Sequence, residues 1–117
     1  MGNWQENRYY TRKGRTTRKT NCKEVLDSGG LTAWMSYDTV IAFKSTEGVI
    51  YVREIRSRFS VSTSRHFRWL QNYAFNQDPR WRIEGHFTDK EFWNLMEEHN
   101  VVKTFNYGRG TRYDHKI

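Results

Sequence analysis

"TVIAFKSTEGVIYVR", Thr39–Arg53, decides the fold class of this chain. Two β-branched and aromatic runs flank Ser45-Thr46-Glu47-Gly48. In the first, Val40, Ala42 and Lys44 alternate with Ile41 and Phe43. In the second, Val49, Tyr51 and Arg53 alternate with Ile50 and Val52. A period of two belongs to strands with two different faces. A four-residue connection containing glycine suits a hairpin.

Upstream, Leu31–Asp38 (LTAWMSYD) continues the β pattern. Asp27-Ser28-Gly29-Gly30 is a turn signal that ends a short strand or helical turn begun at Asn21. Downstream, Phe59–Ser62 (FSVS) reads as a third strand. The period then changes. Thr63 or Ser64 serves as N-cap for a helix whose Phe67, Leu70, Tyr73 and Ala74 share a face. Pro79 stops it. Trp81–Phe87 alternates as another short strand, and Thr88-x-x-Glu91 is a capping box. It opens a second helix with Phe92, Leu95, Met96 and His99 on one side. Val101–Phe105 (VVKTF) reads as a last strand. The expected architecture is α+β: a small antiparallel sheet built on a β-meander or hairpin core, with two helices packed on it. Residues 21–106 form that single domain, between a basic N-terminal arm (1–20) and a basic C-terminal tail (107–117).

The chain has 117 residues, with 20 Lys and Arg against 13 Asp and Glu, a formal charge of +7 and a pI near 9.8. Thirteen of the cations are arginine, and 19 residues are aromatic. Arginine forks onto phosphate and stacks on rings, and aromatics stack on bases. The balance favours a polyanionic or acidic partner. Cys22 stands alone, so no intrachain disulfide and no cysteine zinc site is expected, in keeping with a reducing, cytoplasmic setting. No membrane segment is expected. Met1-Gly2 is not read as a myristoylation signal, because position 6 is Glu6.

Two constellations carry the functional reading. Arg53, Arg56, Arg58, Arg65 and Arg68 fall within sixteen residues, interleaved with Tyr51, Phe59 and Trp69. His66 lies among them, behind Ser62-Thr63-Ser64. If the helix starts there, Arg65 and His66 occupy its first turn, where cations oppose the helix dipole unless an anion binds. The bland account makes Ser and Thr caps, His66 a packed histidine and the arginines solvated. The second constellation is Arg12, Lys13, Arg15, Arg18 and Lys19 in the arm, read as a segment that lies along a phosphate backbone, as a solvated terminus, or as an edge strand. Catalysis finds little support. The four histidines have no metal-ligand spacing, and Gly108-Arg109-Gly110 lacks the context of a phosphate loop. No catalytic residue, metal or cofactor is assigned. A metal-free ribonuclease with His66 as base is the least favoured alternative.

From Ser36 to His66 the chain resembles small uncharacterised proteins of phages, archaeal viruses and mobile elements. Those carry a Ser-Tyr-x-Thr-x-Ile-Ala strand, a short hairpin and a Thr-Ser-Arg-His helix start. The matching residues are Ser36, Tyr37, Thr39, Ile41, Ala42, Tyr51, Val52, Ser60, Thr63, Ser64, Arg65 and His66. The resemblance implies an accessory protein and supplies no catalytic residues. A Tyr37–His66 contact would explain the motif structurally. The expected function is binding of nucleic acid, RNA or DNA, or of a nucleoprotein. Its concrete form is an anti-CRISPR-like inhibitor of a host defence nuclease. Docking on an acidic protein surface is the alternative.

Overall fold

A computed structural model of the chain describes residues 4–11, 14–16, 21–54 and 61–107; in 4–11 and 14–16 the description is of the backbone. The Thr39–Arg53 hairpin sits inside a larger mixed sheet. Its strands are β1 (Trp4–Thr11), β2 (Gly14–Thr16), β3 (Cys22–Asp27), β4 (Thr32–Ser36), β5 (Thr39–Lys44), β6 (Val49–Arg53) and β7 (Arg82–Phe87). They lie in the order β2-β1-β3-β4-β5-β6-β7. The helices are α1 (Val61–Asn72), α2 (Asp89–Glu98) and α3 (Val101–Thr104), with a 3-10 turn at Ala74–Asn76 after α1. The α+β class holds, with helices on both faces of the sheet.

All six residues of β5 are buried, so the middle of the sheet has to be covered twice. On one face Trp34, Ala42, Ile50 and Val52 pack against Phe67 and Leu70 of α1 and Phe75 of the 3-10 turn. On the other, Val25, Ala33, Val40 and Phe43 pack against Phe92 and Met96 of α2 and Val101 of α3. A β-bulge makes this two-sided burial fit. Trp34 pairs with Ala42 while Met35 pairs with Val40, so Ile41 is the extra residue. Ile41 therefore joins Ala42 on the α1 face, and the simple alternation expected of β5 breaks there. In β6 it holds: Ile50 and Val52 face α1, whereas Tyr51 stacks on Phe43 on the α2 side, 5.0 Å between centroids.

Three expectations are corrected, and one left open for the arm is decided. Val61 and Ser62 are the first turn of α1, not a third strand; Phe59 and Ser60 lie outside the described residues. Beyond them the sheet is not wholly antiparallel, because β7 runs parallel to β6. α1 carries the chain back along the sheet first, as a parallel partner requires. Val101–Thr104 is helical, not a strand. Asn100, at φ 63°, breaks α2 from α3, and buried Val101 and Phe105 stand four apart, a helical spacing. Lastly, the N-terminal arm's Trp4–Thr11 and Gly14–Thr16 are strands: Tyr9 pairs with Lys23 and Tyr10 with Arg15. Of the readings given for the arm, the strand is the one found at these residues.

Turns behave as their chemistry dictates. Gly48 has φ +84°, and a Cβ there would meet Trp81 Cδ1 at 3.2 Å, so the β5–β6 turn needs glycine on two counts. The capping box is closed: Thr88 Oγ1 accepts from the Glu91 N–H at 3.3 Å, and Glu91 Oε1 accepts from the Thr88 N–H at 2.9 Å.

Arg53 ties α2 to the sheet. Its side chain is fully buried, its guanidinium lies 4.7 Å from the Phe92 ring centre, and Nη1 is 3.7 Å from Asp89 Oδ1. Removing one member of a buried pair strands the other charge. We expect Asp89→Ala to lower the urea unfolding free energy by about 3 kcal/mol. The double variant Arg53→Met with Asp89→Ala should recover most of that loss, because neither charge of this pair then remains.

Candidate functional site

The residues singled out in the sequence do not share one fate. Arg53 is a core residue and offers nothing to a phosphate, since β6 buries both of its faces at this point. Arg65 and Arg68 are exposed on α1, one helical turn apart. Because α1 begins at Val61, Arg65 and His66 stand in its second turn and not at the dipole end. Neither cation therefore opposes the helix dipole at its start. Arg15 lies in β2, at the sheet edge opposite β7. Arg12, Lys13, Arg18, Lys19, Arg56 and Arg58 lie outside the described residues.

What the fold does bring together is one end of the sheet, around the β4–β5 turn at Tyr37 and Asp38. The Tyr37 N–H donates to the Asn21 carbonyl at 2.7 Å, so the chain after Thr20 enters beside this turn. Ser36 Oγ lies 2.9 Å from Thr63 Oγ1, which places the start of α1 there too. The Val40 N–H donates to the Tyr107 hydroxyl at 2.9 Å, fixing the point from which the C-terminal tail departs. Antiparallel pairing adds the ends of β1 and β6, since Tyr9 pairs with Lys23 and Ala42 with Val52.

Charge is distributed accordingly. Residues 21–54 and 61–107 hold nine Lys and Arg and eleven Asp and Glu, a balance of −2; the remaining residues hold eleven and two, a balance of +9. The whole excess thus belongs to residues 1–20, 55–60 and 108–117. The described residues next to segments 12–13, 17–20, 55–60 and 108–117 include Thr11, Asn21, Glu54, Val61 and Tyr107, all at the Tyr37 end. The far end of the sheet carries the Asp27–Gly30 and Ser45–Gly48 turns, with Asp27, Glu47 and Asp78.

At the Tyr37 end lies a compact polar cluster. Ser36 Oγ is 2.6 Å from His66 Nδ1. His66 is 4 % exposed, with the Tyr37 and Trp69 rings 5.7 and 5.2 Å from its own. The bonds are satisfied when Thr63 donates to Ser36 and Ser36 to Nδ1, which leaves the ring proton on Nε2. Burial lowers the His66 pKa from 6.5 to about 4, so the ring is neutral at ordinary pH. The ribonuclease reading called for His66 beside a cleft; here it is a packed, neutral histidine. The Tyr37–His66 contact proposed for the motif is present. Tyr37 is the residue that the sequence-based site omits. Its backbone sits at φ 57°, costly for a bulky side chain, and its ring is 41 % exposed at the sheet end.

The far end holds a cleft of about 320 Å³ lined by Glu24, Lys44, Gln77, Asp78 and Trp81. Its charges have structural work. The Lys44 ammonium donates to the Gly30 carbonyl at 2.8 Å and lies 5.0 Å from the Trp81 ring centre, and burial lowers its pKa. Glu24 accepts from the Trp34 indole N–H at 2.7 Å. The Cys22 thiol is pushed up to about 12 by burial, with Glu24 adding to the shift, and is inert. Among the described residues no cluster of His, Cys, Asp and Glu is arranged to hold a metal, and no helix is long and apolar enough to cross a membrane.

His66 gives a pH signature. Its folded pKa, about 4, lies below the ordinary 6.5, so the unfolded chain takes up the proton first. The contribution is complete above 6.5 and is lost as pH falls toward 4. Urea midpoints should fall across that interval, and His66→Gln should flatten the decline.

Compared with known proteins, residues 6–85, about two-thirds of the chain, match the model of a family described as a family of unknown function (DUF8033). The match runs from β1 through α1 to Gly85 and leaves α2, α3 and the tail outside it. No curated protein and no solved structure matches the chain.

Proposed function

The chain belongs to the DUF8033 family of unknown function, and from that premise we propose that it binds nucleic acid at the Tyr37 end of its sheet, without catalysis. The observation that carries this reading is the division of charge. Residues 21–54 and 61–107 have a balance of −2 and the rest of the sequence +9, and the described residues next to 12–13, 17–20, 55–60 and 108–117 lie around one exposed, strained tyrosine. Cations on a phosphate backbone supply affinity by counterion release, and an exposed ring adds stacking on a base. Arg65 and Arg68 extend the cationic surface along α1. Arg12, Lys13, Arg15, Arg18, Lys19, Arg56 and Arg58 are its main contributors, whereas Arg53 is not part of it.

The resemblance of Ser36–His66 to phage and mobile-element proteins supports the narrower form of the proposal. In it the protein is a phage accessory factor that occludes the guide RNA, or the RNA channel, of a host defence nuclease in the host cytoplasm.

Nuclease-treated protein titrated into labelled single-stranded RNA and DNA, with anisotropy as readout, tests the reading. Binding should weaken linearly in log–log form as salt rises. Replacing Arg56, Arg58, Arg18 and Lys19 by Gln should cut affinity and flatten the slope, while Lys90→Gln with Lys103→Gln on the α2 side should do neither. Tyr37→Gly removes the ring and relieves the positive φ; it should weaken binding about tenfold with thermal stability kept or raised. Absence of oligonucleotide binding, with capture of one acidic protein that survives nuclease treatment, would replace this reading with protein docking.

A further inference from the structure

Among the described residues β7 closes the sheet at one side, and Arg82, Ile83, Glu84, Gly85 and His86 are all exposed, Ile83 by 52 %. The hydrogen bonds to β6 fix which backbone groups remain. The Arg82 N–H donates to the Gly48 carbonyl at 3.0 Å. In a parallel ladder alternate residues serve one neighbour, so Arg82 and Glu84 turn their backbone groups to β6 and Ile83 turns its N–H and C=O to the open edge.

We propose that β7 pairs with β7 of a second copy of this chain, antiparallel, about a two-fold axis through Ile83. The segment Arg82-Ile83-Glu84 is self-complementary in that register. Each Ile83 faces its counterpart and exchanges both free backbone bonds with it. Arg82 of each copy faces Glu84 of the other, in the closely spaced kind of pair where opposite charges attract best. Arg82 and Glu84 lie on the sheet face of Tyr51, which pairs with Glu84, and Ile83 lies on the face of its partner Ile50, so both ion pairs form on one side and the apolar pair on the other. Protected edges carry charged side chains, especially Lys, Pro, bulges or inward-pointing charges; here the two charges are of opposite sign and complement each other across the two-fold. This edge alternates signs around an exposed isoleucine. The register shift between Tyr51 and Val52 makes Gly85 the bulged residue of β7, which ends the pairing after one more position. An isologous two-fold contact of this kind is closed, giving a dimer and no fibre.

Sedimentation equilibrium on the full-length, nuclease-treated chain tests it. The expected result is a monomer–dimer equilibrium. Ile83→Pro should abolish the dimer with the circular dichroism unchanged, because the N–H it removes is not used within one copy. Arg82→Glu and Glu84→Arg, each of which sets like charges opposite one another twice, should weaken dimerisation about tenfold, and the two together should restore it. Those exposed substitutions keep the test open even if the proline variant fails to fold. A wild-type chain that stays monomeric up to its solubility limit overturns the proposal. So does a dimer indifferent to Ile83→Pro, or a charge swap without rescue. Capture of an unrelated extended peptide by a monomeric chain overturns it too.

Discussion

The burial of β5 on both faces is the constraint from which the remaining architecture follows. A central strand with no polar face cannot meet water on either side, so the chain must deliver apolar helices above and below it. α1 answers for one face and α2 with α3 for the other. The Ile41 bulge lets four consecutive apolar and aromatic side chains, Val40–Phe43, be shared between two covers in a way that strict alternation would not. The parallel strand β7 is a by-product of the same requirement, since α1 must cross the sheet to cover it and the chain re-enters from the far end.

Much of this was legible in the residues. The hairpin, the Asp27–Gly30 turn, the α2 capping box and the β7 strand all follow from local chemistry that tertiary contacts only reinforce. The misreadings share a cause. Val61–Ser62 and Val101–Phe105 belong to short segments, and over four or five residues a strand and a helical turn have the same composition. For the second, the four-residue spacing of Val101 and Phe105 was the available sign. Parallel pairing had no local sign at all, because it depends on where α1 leaves the chain.

The site was harder to read, for a different reason. A cluster of arginines in sequence says nothing about which of them face water. Arg53 continues the alternation of β6, and its position among Tyr51 and Val52 on a central strand pointed inward; its cationic character drew attention the other way. Tyr37 was visible as part of a motif, yet only the fold shows its left-handed backbone and its ring at the sheet end. The partition of charge between a slightly acidic body and basic segments could have been counted from the sequence once the domain boundaries were known, and it is sharper than the total of +7. It locates the charge excess outside residues 21–54 and 61–107, in sequence that sets long-range attraction.

Arg53 and Asp89 come from opposite sides of α1 in the chain, and this has a consequence for how the protein is made. A ribosome releases β3 to β6 well before Asp89. During that interval the α2 face of the nascent sheet carries Phe43 and Tyr51 beside the Arg53 guanidinium, with Asp89 and the Phe92 ring not yet made. Dry contact on that face before α2 is made would bury the guanidinium without the Asp89 carboxylate, which raises its cost. Arrival of α2 supplies Asp89 and the Phe92 ring together, and the same arginine then becomes a fastening. Burial of this one side chain is thus costlier before Asp89 is made than after it.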